Sequence, residues 1–283
     1  MPRSLRSTIT VISEPRSCGE PVVSFANVAL RRGERRILDR ITFDLRAGEF
    51  VGVIGGNGAG KSTLLRLALG LLAPTSGTVR VFGHDPRRMR RGLGYVPQRI
   101  ELDPDLPLRA RDYVALGVDG ERWGLPLPRR ERTARVAQTL RAVDAAALAD
   151  QPVGRLSGGE QQRLAIAQAI VGRPALLLLD EPLANLDLRS ALEIVSLVSR
   201  LGREREMTVM LVAHDVNPLL RAMDRVLYLA DGRAAIGTVD EVVNENVLSR
   251  LYDQPVDVVR VRGRIIVVAG EGVDAGHGHP PRT

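Results

Sequence analysis

The hydrophobic pattern of the chain changes from alternation to continuous apolar runs. From Val22 to Leu45, apolar and polar residues alternate, which predicts half-buried antiparallel strands. Three later runs are apolar almost throughout: Phe50–Ile54, Ala175–Leu179 and Thr208–Ala213. Such runs are typical of strands that are buried on both faces, as in the middle of a parallel sheet.

Helical patterns and shorter strands separate these runs. The helical stretches are Lys61–Leu72, Arg129–Val143, Ser157–Val171, Asp187–Arg203 and Glu245–Leu251. Short strands are predicted at Thr78–Phe82 and Gly94–Gln98, and hairpins at Arg225–Gly237 and Val256–Ala269. The order of elements predicts an α/β fold with a mainly parallel core sheet, an antiparallel β subdomain and a helical subdomain.

We expect three parts along the chain. Residues 1–21 are predicted to be a loose N-terminal tail, 22–252 the main domain and 253–283 a C-terminal extension. Within the main domain, a change of composition after Gln98 indicates a helical insertion at about 99–155. The last stretch, 270–283, is rich in glycine, proline and histidine, and we expect it to be disordered.

Charge and hydropathy limit the classes of protein to consider. The 283 residues carry a net charge of +7, and arginines cluster at 31–36, 87–91 and 129–132. Such clusters either contact an anionic partner or belong to solvated loops, but aromatic residues are scarce, and we expect no nucleic-acid partner. No apolar run reaches the ~18 residues of a membrane span. We therefore expect a soluble chain that reaches a membrane only through another subunit.

The first candidate site is a glycine-rich loop between a predicted buried strand and a predicted helix. Gly55, Gly60, Lys61 and Ser62 have the spacing of a phosphate-binding loop in the strand–loop–helix context that this pattern needs. Glycines let backbone N–H groups point inward, and the helix N-terminus favours phosphate. Lys61 is also the only lysine of the chain. The alternative is a glycine-rich turn that binds nothing.

The second candidate site lies at the ends of two other predicted strands. Asp180 and Glu181 follow one apolar run, and His214 follows the next. Ligands of open α/β sheets bind at the carboxyl ends of the strands. Behind a phosphate loop, the two acids are interpreted as a Mg²⁺-holding carboxylate and a catalytic base. A solvated strand end and a structural histidine remain the alternatives.

A third motif opens the helix that begins near Ser157. Ser157 and Glu160 have the spacing of a capping box, so a plain helix start is one interpretation. The two glycines between them, Gly158 and Gly159, are more than a cap needs. They would let a phosphate approach the exposed N–H groups of the helix end.

Together these motifs occur in the order seen in ATP-binding cassette (ABC) ATPases, which the chain resembles over roughly residues 22–250. The resemblance is carried by the phosphate loop, Gln98, Leu156–Gln161, Asp180-Glu181, Asp187 and His214. It implies a P-loop NTPase fold. Three positions depart from the usual pattern: Gly56 replaces a common proline, Glu160 a common glutamine, and Arg32 an aromatic residue that often stacks on adenine.

The resemblance implies a role for each motif in ATP hydrolysis. The phosphates of ATP would contact Gly55, Gly56, Asn57, Gly58, Ala59, Gly60, Lys61, Ser62 and Thr63. Mg²⁺ would be held by Ser62, Gln98 and Asp180. Glu181 would polarise the attacking water and His214 would contact the γ-phosphate, with Lys61 and Gln98 assisting. Ser157, Gly158 and Gly159 would close over ATP bound to a second, head-to-tail copy of the chain.

A narrower resemblance concerns the cargo. The chain is similar to the ATPases of manganese, zinc and iron-chelate importers at Tyr95–Arg99, Leu102–Pro107, His214–Leu219 and Leu248–Tyr252. This implies an ATPase that couples ATP hydrolysis to import of a divalent metal ion. It would bind transmembrane permease subunits at the cytoplasmic face of the membrane, and an extracytoplasmic substrate-binding protein would deliver the ion.

Two matters stay open at the level of sequence. His277 and His279 in the tail are compatible with metal traffic but also with an incidental composition. The other candidate function is an ABC ATPase for another substrate, or one outside transport. The 119 residues from Lys61 to Asp180 (180 − 61) leave no room for the long coiled coil of DNA-repair types.

Overall fold

The computed structural model describes residues 10–11, 21–89, 92–98, 103, 107–119 and 129–269. In chain order the strands are β1 Thr10–Val11, β2 Val23–Arg32, β3 Arg35–Leu45, β4 Phe50–Gly55, β5 Ser76–Val81, β6 Leu93–Val96, β7 Leu176–Asp180, β8 Thr208–Ala213, β9 Arg225–Ala230, β10 Arg233–Gly237, β11 Val256–Val261 and β12 Arg264–Ala269. The α-helices are α1 Lys61–Ala68, α2 Ala110–Asp119, α3 Arg129–Ala142, α4 Gly158–Ile170, α5 Leu188–Glu204, α6 Val239–Val242 and α7 Glu245–Tyr252.

A mainly parallel sheet organises the described residues, as the apolar runs predict. Its strand order is β1-β10-β9-β4-β8-β7-β6. Strands β9, β4, β8, β7 and β6 are mutually parallel, whereas β10 turns back antiparallel to β9. Every residue of β4, β7 and β8 is buried, because both faces of the sheet are covered.

Alternate side chains of each central strand enter two different cores. In β7, Leu177 and Leu179 pack into one core with residues of α2, α3, α4 and α5. Leu176 and Leu178 of the same strand pack into the other core, with α1 and the antiparallel strands. The period of two along a strand therefore places helices on one face and α1 with the antiparallel sheet on the opposite face.

The alternating pattern of the N-terminal half forms a separate antiparallel sheet of order β3-β2-β5. Its inner face includes Phe25 and Phe43, whose rings stack at 4.6 Å. The prediction placed the third strand at Thr78–Phe82, but β5 begins at Ser76. Ser76 and Thr78 pair with Ala29 and Ala26 of β2, and Gly77 lies between them at a register shift with φ +83, where a Cβ would collide with the carbonyl of Asn27.

Several predicted boundaries are wrong, each for a local reason. Helix α1 ends at Ala68 rather than Leu72, because Gly70 adopts a left-handed φ of +69 against the backbone of Arg87. Strand β6 ends at Val96, before Pro97, which has no N–H for a ladder. Gln98 therefore lies two residues beyond the strand.

The N-terminal tail is not loose throughout. Thr10 and Val11 form β1, which pairs parallel with Ala235 and Ile236 of β10. Other parts of the predicted tail, part of the 99–155 insertion and the expected disordered stretch 270–283 with His277 and His279 lie outside the described residues. Both predicted C-terminal hairpins, β9–β10 and β11–β12, are present.

Helices α2, α3 and α4 pack against one another beside the sheet. Val114 of α2, Leu140 of α3 and Ile166 of α4 are buried in the same core. This part contains the described residues of the predicted helical subdomain. None of the helices that the structure describes has the length and apolar character needed to cross a membrane.

Candidate functional site

The glycine-rich loop connects β4 to α1 and leaves the first turn of the helix uncapped by any side chain. Gly60 is the N-cap residue, with φ +103, and a Cβ there would lie 2.8 Å from Cδ2 of Leu38. A Cβ at Gly55 would collide with the carbonyl oxygen of Leu229. Gly56 has no atom within 4 Å of the same position, so the loop is open on that side.

Lys61 is buried and reaches back across the loop. Only 4% of the residue is exposed, and its Nζ donates to the carbonyl oxygens of Gly55 at 2.8 Å and Gly56 at 3.0 Å. The same Nζ lies 3.8 Å from Oε1 of Glu181 and 3.4 Å from Nδ1 of His214. Burial lowers the pKa of Lys61, while the charges of Glu181 and Asp180 oppose that shift.

The end of β7 brings a buried carboxylate to the start of α1. Ser62 Oγ donates a hydrogen bond of 2.9 Å to Oδ1 of Asp180, which is 3% exposed. Burial raises the pKa of Asp180, although the hydrogen bond from Ser62 opposes the shift and the neighbouring Glu181 adds to it. A hydroxyl and a carboxylate in this arrangement are hard oxygen ligands of the type that Mg²⁺ prefers.

Glu181 connects three of the predicted site residues. Its Oε2 accepts a hydrogen bond of 2.6 Å from Nε2 of Gln98 and lies 2.8 Å from Nε2 of His214, while Oε1 faces Lys61. Glu181 also has φ +49 and precedes Pro182, so its backbone adopts a conformation that costs a non-glycine residue about 1 kcal/mol. The structure thus places Gln98 against Glu181 and not against the Ser62–Asp180 pair.

The predicted motif at the start of α4 forms a complete capping box. Ser157 accepts from the N–H of Glu160, whose carboxylate accepts from the N–H of Ser157 at 2.9 Å and from its hydroxyl at 2.8 Å. Ser157 and Gly158 are exposed. In the described part of the chain, the hydrogen bonds of Ser157 remain within this helix start, and none reaches the phosphate loop.

Asp187, another of the residues that carry the resemblance to ABC ATPases, caps α5. Its carboxylate accepts from the N–H groups of Arg189 at 3.1 Å and Ser190 at 3.3 Å. The hydrogen bonds to Ser190 lower the pKa of Asp187. Asp187 therefore stabilises the N-terminus of α5 within the single chain.

The family model described as ABC transporter matches residues 38–184, which include the phosphate loop, Gln98, the start of α4 and the Asp180-Glu181 pair. The chain belongs to the ABC transporter family.

Curated ABC proteins share a large part of the sequence. The chain is 37% identical over 221 residues to the zinc import ATP-binding protein ZnuC of Photorhabdus laumondii, covering 78% of this chain and 79% of that protein. It is 39% identical over 210 residues to ZnuC of Yersinia enterocolitica, covering 74% of this chain and 76% of that protein.

Solved ABC structures have the same fold. A metal-chelate type ABC transporter in an inward-facing conformation matches with a TM-score of 0.74 and 26% identity, over 89% of this chain and 97% of that chain. A dimeric ATP-binding cassette bound to ADP and phosphate matches with a TM-score of 0.67 and 31% identity, over 77% and 98%. The P-loop NTPase fold is therefore confirmed, and the chain is an ATP-binding, ATP-hydrolysing ABC cassette.

In this ABC cassette, the structure brings Lys61, Ser62, Gln98, Asp180, Glu181 and His214 together and leaves Ser157–Gly159 apart. Arg32, at the predicted adenine position, is exposed at the end of β2 opposite Arg35. The guanidinium of Arg35 lies 3.7 Å from the Cβ position of Gly58. Stacking of adenine on Arg32 stays a prediction.

The sequence indicates no role for Asn217, the third residue after His214. Its carboxamide hydrogen-bonds both the N–H and the carbonyl of Ile265, 48 residues later. Nothing in the local pattern indicated the distant partner.

Proposed function

We propose that the chain is the ATPase subunit of an ABC importer for a divalent metal ion, with zinc as the cargo. The observation that carries the proposal is the 37–39% identity to zinc import ATP-binding proteins over about three quarters of both chains. Manganese and iron are the other cargoes that the sequence resemblance allows. ATP hydrolysis itself follows from the family, so the proposal concerns what hydrolysis drives.

The phosphate loop supports binding of MgATP in a definite orientation. The open side of the loop at Gly56 and the uncapped start of α1 offer backbone N–H groups to the phosphates. Ser62 and Asp180 would hold Mg²⁺, with Gln98 as the third ligand after its amide leaves Glu181. Mg²⁺, when bound, neutralises charge on the β- and γ-phosphates. A cation beside Asp180 would also offset the cost of its buried charge.

The cluster around Glu181 supports its assignment as the residue that orients the attacking water. A buried carboxylate is a strong hydrogen-bond acceptor, and Gln98 and His214 fix its position at 2.6 and 2.8 Å. His214 lies between Glu181 and Lys61, where its ring can reach a γ-phosphate and a water together. Phosphoryl transfer asks mainly for such positioning and charge stabilisation.

A second copy of the chain would complete the site. Ser157 and Gly158 are exposed and Gly159 is half-buried in the single chain, and we assign all three to the ATP of the partner. A related cassette at 31% identity is a dimer with bound ADP and phosphate, which supports this arrangement. The helix N-terminus would then face the γ-phosphate from the side opposite the phosphate loop.

The remaining partners follow from the importer assignment. Transmembrane permease subunits would dock on the helical subdomain at 99–155, which places the cassette peripherally at the cytoplasmic face of the membrane. An extracytoplasmic substrate-binding protein would deliver the ion. Residues 22–252 would act as the ATPase domain, and 253–283 as an extension of it.

Deletion of the gene in its source organism tests the cargo. We expect growth to fail in medium depleted of divalent metals by a chelator, and cellular zinc to fall several-fold when measured by mass spectrometry. Added zinc should restore growth, and added manganese or iron should not. The wild-type gene on a plasmid should restore zinc content, whereas the Glu181→Gln gene should not.

Two other outcomes of the deletion experiment would change the assignment of the cargo. Rescue by manganese alone would replace zinc by manganese as the cargo. Unchanged cellular content of zinc, manganese and iron would contradict metal import as a whole, while leaving the ATPase assignment intact.

A further inference from the structure

The C-terminal hairpin is attached to the loop that carries His214. Strands β11 and β12 pair from Val256–Ala269 to Val261–Arg264. A two-stranded hairpin is only marginally stable alone, so its position depends on the surface that it covers. Val256 and Ile265 are buried in the core that also contains Val216, two residues after His214.

Asn217 makes the polar contact between the hairpin and this loop. Its Oδ1 accepts from the N–H of Ile265 at 2.8 Å, and its Nδ2 donates to the carbonyl of Ile265 at 2.9 Å. The carboxamide thereby pairs with β12 as the peptide group of a neighbouring strand would. Nδ2 also donates to Oδ1 of Asp215 at 2.7 Å, and the N–H of Asn217 donates to the same oxygen at 2.9 Å.

Only a carboxamide of this length satisfies both groups of Ile265. A carboxylate would accept from the N–H but could not donate to the carbonyl, and an alanine would leave both part-buried groups without their partner. The contact is therefore specific in chemistry as well as in position.

The same contacts bear on the geometry of His214. Asp215, which follows it directly, is held by two hydrogen bonds from Asn217, and Asn217 is held by the hairpin. The ring of His214 is 47% exposed, so packing alone does not fix it 2.8 Å from Glu181. Displacements of about 1 Å at a reacting group can cost up to ~100-fold in rate.

We infer that the C-terminal hairpin positions His214 for ATP hydrolysis, and that Asn217 is the positioning residue through which it acts. The inference rests on the proposed roles of His214 and Glu181 and is independent of the cargo. The extension thus contributes to the catalytic rate of the cassette. We expect ATP binding at the phosphate loop to persist when the contact of Asn217 with Ile265 is lost.

The chain supplies a matched control at the end of α7, the helix that leads into the hairpin. Tyr252, the last residue of α7, shares a hydrogen bond of 3.3 Å with Tyr228 of β9 through their hydroxyl groups. This bond ties the end of α7 to the sheet and involves no atom of residues 214–217. Tyr252→Phe removes it and keeps the ring.

The experiment compares Asn217→Ala and Tyr252→Phe in the purified full-length chain with MgATP. For Asn217→Ala we expect kcat to fall about tenfold, while the Kd for ATP, measured by displacement of a fluorescent ATP analogue, changes less than about twofold. For Tyr252→Phe we expect kcat within about twofold of wild type. Equal losses of kcat in both variants would overturn the inference, because they would indicate general loosening of the C-terminal part of the chain from α7 onward.

A double-mutant cycle with His214→Ala identifies the route of the effect. If Asn217 acts through His214, Asn217→Ala should lower kcat no further in the His214→Ala background, in single-turnover assays. An equal further loss would overturn the inference. A wild-type kcat in His214→Ala alone would instead contradict the proposed role of His214.

Asn217→Asp covers the case in which Asn217→Ala fails to fold. This variant keeps an acceptor for the N–H of Ile265 and loses the donor. A kcat between about twofold and tenfold below wild type, with unchanged Kd for ATP, supports the inference, and a wild-type kcat overturns it.

Discussion

The phosphate loop and the start of α4 both place glycines at a helix N-terminus, but the two places need glycine for different reasons. In the loop, Gly60 has a left-handed backbone and no room for a Cβ beside Leu38. At the start of α4, a Cβ on Gly158 would come no closer than 3.8 Å to Leu186, and one on Gly159 no closer than 3.8 Å to Ser190. Neither contact is unfavourable.

This difference separates what the fold requires from what a ligand requires. The fold itself demands glycine at Gly60, whether or not a phosphate is present. It does not demand glycine at Gly158 or Gly159, which instead lower helix propensity by about 1 kcal/mol each relative to alanine. Glycines that lower helix stability and are not needed for packing are expected where a second molecule must approach the backbone closely.

The phosphate loop and the start of α4 also differ in the burial of their charged side chains. Lys61, Asp180 and Glu181 are all buried at the loop, and burial shifts the pKa of Lys61 down and that of Asp180 up. Ser157 and Glu160, by contrast, satisfy one another at the surface. The loop therefore holds buried charges whose desolvation is unfavourable, whereas the polar groups of the capping box at the start of α4 satisfy one another.

The largest expected effect is that of Glu181→Gln. The amide keeps the size of the side chain but is a poor acceptor for the proton of water, so we expect kcat to fall by about 10²–10³. ATP binding should persist, and the ATP-bound dimer should accumulate in size-exclusion chromatography with light scattering. Turnover at the wild-type rate, measured by phosphate release, would remove Glu181 from this role.

The second largest expected effect on kcat is that of Gly159→Leu. This variant tests whether the start of α4 needs glycine for a second molecule and not for folding. The added side chain points where the γ-phosphate of the partner would lie, so kcat should fall about 100-fold. The Kd for ATP of the single chain and the Tm should both stay close to wild type, because a Cβ at Gly159 would come no closer than 3.8 Å to Ser190. Hydrolysis at the wild-type rate would contradict the assignment of this helix start to a second copy.

Gly60→Ala is the matched control in the phosphate loop. The overpacking against Leu38 and the strained backbone should cost about 2 kcal/mol of unfolding free energy, lowering the Tm by about 4–8 °C. A stability loss in Gly159→Leu as large as that in Gly60→Ala would mean that both helix starts need glycine for folding.

Sequence reasoning succeeded where local chemistry determines the structure. The apolar runs at β4, β7 and β8 are typical of buried strands, and parallel strands bring the residues at their ends to one edge. This is why the sequence predicts that His214 lies beside Asp180 and Glu181. The resemblance to ABC ATPases supplied the pairing of Ser157–Gly159 with a second copy, which no single-chain pattern contains.

Prediction from the sequence failed where contacts with a distant segment determine the local structure. The isolated pair Thr10–Val11 carries too weak a pattern to predict a strand, and only the free edge of β10 makes it one. The contact from Asn217 to Ile265 joins two loop-adjacent residues 48 positions apart. Side-chain pairing of that kind depends on tertiary packing, which periodicity does not report.

Asp180→Asn tests whether the phosphate-loop region carries unfavourable charge. Because the pKa of Asp180 is raised in the folded chain, its carboxylate destabilises the fold progressively as pH rises from the unfolded value of 3.8 through the folded one. Removing the charge should therefore raise the Tm at pH 7 by about 2–4 °C, or about 1 kcal/mol. Added MgATP should stabilise this variant less than wild type in thermal denaturation. A lower Tm than wild type without nucleotide would refute the charge argument.

The smallest expected effect is that of Glu160→Gln at the start of α4. The carboxylate of Glu160 accepts two hydrogen bonds from Ser157 and places a negative charge where the phosphate of the partner would arrive. Glutamine removes a repulsion of about 0.5 kcal/mol between partly exposed charges, so the KM for ATP should fall roughly twofold at low salt. The difference should disappear near 1 M salt, where the Debye length is only about 3 Å. The loss of a negative charge at a helix N-terminus should meanwhile lower the Tm by about 1–2 °C. Equal KM values for the two proteins at low salt would place Glu160 away from the ATP of the second copy and would limit the capping box to its role within α4.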